Sequence, residues 1–501
     1  PGQGHAREAL EVSERARARS LLDLLQEAGA RISEGVDPDL RDRYRSLLLR
    51  LNGKANRQAG LLQHPAKEES RRAAEAETLS ALEDLTQVEA EIRRHSPRYA
   101  ALTQPSLATS TEIQGLLDGE TMLLEVALGE ERSFLWVVDQ GSVTGFELPP
   151  RARIEALARE VYSRLSVLSS GDERRDEAAS TLSRMLLGPV AARLAGKRLI
   201  VAADGALQYV PFAMLPDPAA SGEKISVPLL VGHEVVNVPS ASAVALQRRL
   251  GRREPAQDAV AVLADPVFDP NDPRVGEQVG KSSSAVATAA STARTRSGAS
   301  SFLRLPWTRR EAQAIVAAAP VGRSLMALDF RASRQTALSS ELSRYRIVHF
   351  ATHGVVDSQT PSLSGLMLSR VSERGTPVEG FLGLDDVYNL HLGADLVVLS
   401  GCETALGKEV RGEGLVGLTQ GILYSGAKLV AASLWRVEDQ ATAELMSRFY
   451  RGLLREGRPP AAALREAQLA IRSDRRWRSP YYWSGFVLQG DWQPSSLPAV
   501  R

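Results

Sequence analysis

The sequence predicts an α/β protein built on a mostly parallel sheet flanked by helices, with an all-helical segment in front. Three observations carry this. After residue 307, short apolar runs such as "YRIVHFAT" and "DLVVLSG" alternate with helical patterns. Strands of that kind, apolar on both faces, belong to parallel sheets covered by helices. Before them, "TMLLEVALGEERSFLWVVDQGSVTGFELP" reads as three strands in a meander, with turns at Gly129 and near Gly141. The first hundred residues have neither texture and are rich in Ala, Leu, Glu and Arg.

Taken in order, residues 5 to about 98 read as helices. "HAREALEVSERARARSLLDLLQEA" meets no Gly or Pro until Gly29, and Leu79, Leu82, Leu85, Val88 and Ile92 recur at helical spacing. Asp37-Pro38 and Ser96-Pro97 punctuate the segment. Taken alone, the pattern fits either a helical bundle or the end of a helical-repeat array. After "TQPS" (103–106) come the meander, helices at 151–168 and about 174–188, and two short strands. These are "KRLIVAADG", ending on Asp204 and Gly205, and "AVAVLADP" from 259. Residues 269–301 carry few large apolar groups, so burial cannot offset the entropy of ordering them, and a flexible loop is expected. From 307 the order is helix (308–319), strand (YRIVHFAT), helix or loop, strand (DLVVLSG), helix (413–425), strand (AKLVAAS) and helix (439–472).

Bulk composition excludes several classes. Hydrophobic content is 43% and charged content 24%, the balance of a soluble globular chain. The net charge of +1, from 61 basic and 60 acidic residues, gives no footprint for nucleic acid or an anionic membrane. No apolar run approaches the ~18 residues of a membrane span. The single cysteine allows no internal disulfide, so a reducing, cytoplasmic compartment is expected. The chain begins at Pro1 rather than Met, so the lack of a leader carries no weight.

That one cysteine, Cys402, sits just past "DLVVLSG"; His353 sits just past "YRIVHFAT", 49 positions earlier. In parallel sheets the reactive groups gather beyond the carboxyl ends of strands. A thiol is a weak nucleophile at neutral pH until an imidazole or a helix start draws off its proton. Free cysteines are often inert core residues, but the paired strand ends, flanking Gly354 and Gly401, and a His upstream by about fifty residues favour a catalytic dyad. The amides of Gly354 and Cys402 are candidates for an oxyanion site. His349 lies within its strand and reads as a core or supporting group; His233 reads as structural and His391 as surface. His5, His64 and His95 lie in the helical region and receive no chemical role.

A competing motif fails on context. Gly412, Gly414 and Gly417 match G-x-G-x-x-G, and Asp439 follows 22 residues after Gly417. The glycines should come directly off a strand, yet "ETALGKEVR" intervenes and reads as a polar loop. A nicotinamide-binding enzyme is therefore a distant alternative and no cofactor is expected. One Cys and scattered His residues do not make a thiolate metal site.

Several motifs together resemble the CHAT domain, a family of caspase-like and separase-like cysteine peptidases of bacteria often found behind tetratricopeptide repeats. They are "HFATHG", "LSGCETALG", "GEGLVGLTQGILYSGAKLVAASLWRVED" and "PYYWSGFVLQGD", with "DGALQYVPFAML", "HEVVNVPSASAV" and "LPWTRREAQAI" upstream. The resemblance implies a caspase-like sheet over about 105–495, with His353 and Cys402 as the dyad. It implies a degenerate, pseudo-protease half at 105–268, the flexible loop at 269–301 and the catalytic half at 302–495. Residues 1–100 then become the remnant of a repeat array plus linking helices, since "EVSERARARSLLDLL" looks like the usual joining segment.

The function expected is hydrolysis of a specific protein substrate through a thioester on Cys402, with His353 managing the proton. No third orienting side chain is evident. Acids after the nucleophile, Glu413, Glu438 and above all Asp439, are candidates for a pocket that prefers Arg or Lys; the plainer reading is helix-start and strand-end caps. By resemblance, control is expected through a protein activator on the N-terminal helices and through the loop 356–381. A role in bacterial defence, with a gasdermin-like pore former as substrate, is likewise implied only by resemblance. A non-catalytic caspase-like scaffold is the alternative from another class.

Overall fold

The structure is a computed structural model. It describes residues 5–27, parts of 37–50, 68–95, 107–168, 173–220, 226–249, 256–276, 302–355, 364–390, 392–401, 407–410, 414–436 and 438–493. Of the loop expected over 269–301, residues 277–301 lie outside the described residues, as do His64, His391, Cys402 and Glu413, whereas 269–276 are described and Arg274 there is held by Asp265, Asp272 and Asp329.

The chain forms two compact units, one of Pro1–Ala30 with Leu107–Arg501 and one of Arg31–Ser106. The first helix, α1 (Ala6–Glu27), belongs to the larger unit. The smaller unit holds α2 (Glu68–His95), where Val88 and Ile92 are buried with Leu47.

In the larger unit the meander appears as expected: β1 (Thr121–Ala127), β2 (Ser133–Val138) and β3 (Val143–Leu148). Helices α3 (Arg151–Leu165) and α4 (Glu173–Leu187) follow, then β4 (Arg198–Ala202), β5 (Val235–Asn237), α5 (Ala241–Arg249) and β6 (Asp258–Ala264). The later part runs α6 (Pro306–Ala318), β7 (Ser324–Leu328), β8 (Tyr345–Ala351), β9 (His353–Val355), β10 (Gly365–Met367) and β11 (Phe381–Gly383). It ends with β12 (Leu396–Leu399), β13 (Gly407–Val410), β14 (Gly414–Gly417), α7 (Leu418–Tyr424), β15 (Leu429–Ser433), α8 (Asp439–Tyr450), α9 (Pro460–Ser473) and β16 (Phe486–Gly490).

Among the described residues, eleven strands join in one sheet of order β3-β2-β1-β4-β5-β16-β15-β12-β8-β6-β7. The neighbours pair in parallel except β3–β2, β2–β1 and β16–β15. The fold class is therefore the expected one, a large, mostly parallel sheet flanked by helices. Residues such as Val260, Val262, Ile347, Val397 and Val430 are fully buried in the central strands, as strands covered on both faces require.

Strand β16 comes from the C-terminal end of the chain yet lies in mid-sheet. It runs parallel to β5 and antiparallel to β15. The carboxyl ends of β1, β4 and β5 therefore point to the opposite sheet edge from those of β6, β8, β12 and β15. Gly490 ends β16 with φ of 127°, and a Cβ there would sit 2.4 Å from the Lys428 carbonyl.

Two expected helices differ. The helix expected at 413–425 begins only at Leu418, because 414–417 pair with 407–410 as a two-stranded ribbon. Part of "ETALGKEVR", read as loop, is thus the strand β13. The helix expected over 439–472 breaks after Tyr450 into a five-residue π turn and resumes at Pro460. Gly457 takes φ of 66°, and Pro459-Pro460 supply no backbone donors, so an α-helix cannot run through.

Candidate active site

His353 stands where β8 hands over to a small sheet of β9, β10 and β11. Thr352, fully buried between the two strands, donates its hydroxyl to the Met367 carbonyl and fixes the bend. His353 itself pairs with Met367. Its ring sits against Phe268 (5.2 Å between centroids) and Phe302 (5.4 Å), and those two rings pack on each other.

The imidazole Nε2 lies 2.6 Å from the Leu303 carbonyl oxygen. A carbonyl can only accept, so Nε2 carries the proton and Nδ1 keeps the lone pair in the neutral ring. This fixes both tautomer and tilt. Burial holds the His353 pKa below the ordinary histidine value; Arg436 adds to the effect, while the Leu303 hydrogen bond and Asp439 oppose it. The ring is therefore neutral at pH 7, with Nδ1 as a proton acceptor.

Strand β12 lies beside β8 in parallel register, from Leu396 opposite Ile347 to Leu399 opposite Phe350. The Ser400 amide continues it by donating to the Phe350 carbonyl at 2.8 Å. On the other side, Ser433 at the end of β15 donates its hydroxyl to the Gly401 carbonyl. Cys402 with its amide, and Glu413, lie outside the described residues.

Glu438 and Asp439 open α8. Glu438 is its N-cap, accepting from the amides of Gln440 (3.1 Å) and Ala441 (2.9 Å). Asp439 is half-buried, within electrostatic reach of His353 and Arg436. Burial raises its pKa, with Glu311 and Glu438 adding to the rise and Arg436 and His353 opposing it. Hydrogen bonds tie Trp435 and Arg436, just before α8, to Tyr481. Trp435 is buried and donates to the Tyr481 carbonyl at 3.0 Å, and the Tyr481 hydroxyl donates to the Arg436 carbonyl at 2.7 Å. This accounts for the pairing of "SLWRVED" with "PYYWSGF".

His349 is fully buried in β8, with Nδ1 and the Tyr450 hydroxyl hydrogen-bonded at 2.9 Å. Its Nε2 is 3.0 Å from Glu311 Oε1, an ion-pair distance, but off the hydrogen-bond direction, so neither atom gains a directional partner there. Burial pushes the Tyr450 phenol well up, so it stays protonated. His349 is a core group, as expected. His233 is also structural, its Nδ1 on the Lys197 carbonyl and its Nε2 beside Asp217.

Two contributors were missed at sequence level. The Leu303 carbonyl is a backbone acceptor and has no side-chain signature. The aromatic seat of Phe268 and Phe302 is split by the low-complexity stretch, which hid the two halves of one feature.

A family model, described as "CHAT domain", matches residues 176–491, more than half of the chain. Tetratricopeptide repeat protein 28 of Homo sapiens is 32% identical over 180 residues, covering 30% of this chain and 7% of that protein. Tetratricopeptide repeat protein 28 of Mus musculus is 38% identical over 105 residues, covering 21% of this chain and 4% of that protein. The chain thus spans less than a tenth of the length of these relatives. Among solved structures, two crystal structures of the Saccharomyces cerevisiae separase–securin complex are similar. One has TM-score 0.45 and 9% identity over 83% of this chain and 34% of that one; the other has 0.35 and 11% over 89% and 27%. On the family match, this chain belongs to the CHAT domain family.

Proposed function

We propose that the chain is a cysteine endopeptidase in which Cys402 is the nucleophile and His353 the base. One observation carries most of the reading. The register of β12 on β8 has an offset of 49 residues at every pair, the same separation as Cys402 from His353. Under this reading the thiol and the imidazole share one end of two adjacent parallel strands. The neutral His353, with its lone pair on Nδ1 and its other nitrogen tied to Leu303, is prepared for the task.

The Cys402 thiol gives its proton to Nδ1, and the sulfur attacks the scissile carbonyl. The imidazolium passes that proton to the leaving amine, which departs as the C–N bond breaks. Water then adds to the thioester with His353 again as base, releasing the acid and restoring the thiol. The amides of Gly354 and Cys402 are the proposed oxyanion donors. Asp439, beside His353 and with no N-cap bond of its own, is the proposed acid for an Arg or Lys side chain before the cut. Glu438 is already engaged by its helix. The expected partner is a dedicated protein substrate, with control through the N-terminal helices.

The test is the rate of Cys402 alkylation by iodoacetamide against pH, in the parent and in His353→Ala. Only one thiol is present, so the signal is unambiguous. Because the His353 pKa is depressed, the parent's acid limb should fall below pH ~6.5, with fast reaction well under the ordinary thiol value of about 8.5. His353→Ala should slow it. A common, slow thiol profile in both proteins would replace this reading with the scaffold.

A further inference from the structure

Arg304 lies next to the residue that touches His353, and its side chain leads into an unusual cluster. Strands β6 and β7 are parallel neighbours, with Ala264 opposite Leu328. Each is followed by an aspartate in the left-handed region, Asp265 at φ of 48° and Asp329 at 54°; among the described residues these are the only non-glycine positive φ values. Such conformations are unfavourable for a residue with a side chain and persist where the surroundings over-determine them.

The surroundings do so here. The fully buried Asp265 carboxylate accepts from Arg304 through Nε (2.9 Å) and Nη2 (2.8 Å), and from Arg309 Nε (2.8 Å). Arg274 Nη1 lies 3.0 Å from its Oδ1. Arg274 also reaches Asp329 (2.8 Å) and Asp272 (2.7 Å), and Arg309 reaches Asp329. Three arginines and three aspartates balance in charge. Arg304 is the member carried by the strand of chain that crosses His353.

The peptide unit that presents the Leu303 carbonyl to His353 has its nitrogen on Arg304. The Leu303 side chain does not hold this unit, since it is 68% exposed. We propose that Arg304, clamped two-point by Asp265, is a positioning residue that sets the Leu303 carbonyl on His353 Nε2 and thereby fixes the tautomer and tilt of the imidazole. A bidentate guanidinium–carboxylate pair is directional enough for this, whereas a lysine would be a point charge. The proposal deepens the peptidase reading, but its main readout needs neither substrate nor thiol.

That readout is the downfield imidazole N–H proton signal of the full chain labelled with 15N-histidine, the His353 signal being assigned by its loss in His353→Gln. The signal of the buried His349, in the preceding strand β8, reports folding. Arg304→Ala should abolish or broaden the His353 Nε2–H signal and keep that of His349. Where the peptidase reading also holds, iodoacetamide alkylation of Cys402 at pH 6.5 should slow by about ten-fold. Arg304→Lys should restore little. Arg274→Ala, which removes a different partner of the Asp265 carboxylate and leaves the two-point bond from Arg304 in place, should keep the His353 signal. Retention of that signal in Arg304→Ala overturns the proposal. So does its equal loss in Arg274→Ala, which would make the cluster general scaffolding. If Arg304→Ala loses both histidine signals, Arg304→Gln is judged by the same criterion. An inert thiol in the parent would sink the dyad while leaving the His353 readout intact.

Discussion

Asp439 shows how a single carboxylate can be set against its own fold. An acid in the first turn of a helix is ordinarily favoured by the macrodipole. Its pKa is nevertheless raised, because burial and the nearby Glu311 and Glu438 outweigh that benefit together with Arg436 and His353. A carboxyl whose folded pKa lies above its unfolded value contributes its full stability below about pH 4. That contribution is lost as pH rises through the folded value. At neutral pH the ionised Asp439 is therefore a standing cost. Asp439→Asn should raise the melting midpoint at pH 7, on the order of 1 °C for a unit of this size. The gain should vanish at pH 3.5, where both side chains are neutral. If Asp439 receives a basic residue before the cut, the same variant should lose selectivity for Arg and Lys by about ten-fold or more. Calorimetry at the two pH values and a fluorogenic peptide panel separate these effects. A variant less stable at pH 7 and unchanged in selectivity would remove Asp439 from the pocket.

At the scale of elements, α1 carries the least expected packing. Three polar residues of its stretch "SERAR", Ser13, Glu14 and Arg17, are buried. Arg17 inserts at the carboxyl ends of β1, β4 and β5, donating to the carbonyls of Val126 (2.5 Å), Ala202 (3.3 Å), Ala203 (3.1 Å) and Pro239 (3.2 Å). Its Nε lies 3.4 Å from Glu125 Oε1 without a hydrogen bond, and that oxygen accepts from the Ser13 hydroxyl at 2.6 Å. Glu14 caps α5 through the amides of Ala241 and Ser242. Burial and the neighbouring Glu14 push the Glu125 carboxyl well up despite Arg17, so the main cost of Arg17→Ala is the loss of its hydrogen bonds to strand-end carbonyls, about 1–3 kcal/mol for each buried acceptor left unsatisfied. A clear fall in the urea midpoint is expected; a change under about 1 kcal/mol would mean that α1 is not integral to the sheet. The meander, β4, β6, β8, β12 and β15, with the helices that flank them, were legible because their apolar periodicity is local, whereas the short strands β5, β7 and β16 were not read as strands. The role of Arg17 was not legible, because four backbone acceptors from three other segments define it. The Leu303 carbonyl escaped for the same reason. The His353 end of the site was legible because strand ends and glycines mark it in the chain itself, whereas the acids split only in three dimensions, into a helix cap at Glu438 and a half-buried group at Asp439.

At the scale of the molecule, β16 decides how the two halves of the sheet depend on each other. Among the described residues it is the only strand hydrogen-bonded to both, through β5 and β15. The two halves run in opposite directions across it, so the Arg17 end and the His353 end lie on opposite sheet edges. Arg248 clamps the strand's exit by a two-point bond to Asp491 (2.6 and 3.0 Å), tying α5 to it. Such a strand couples the halves in stability even though their carboxyl ends share no site. Leu488 is buried at its centre. Leu488→Asp would place an unpaired carboxylate between both halves, at a cost of several kcal/mol. Hydrogen exchange should then show β1 and β4 losing protection together with β8 and β12, by similar factors. Loss confined to β8 and β12 would mean that the halves fold independently and that β16 merely edges one of them. Joint loss would make any partner that loosens the first half a lever on His353, across some five strands of shared sheet.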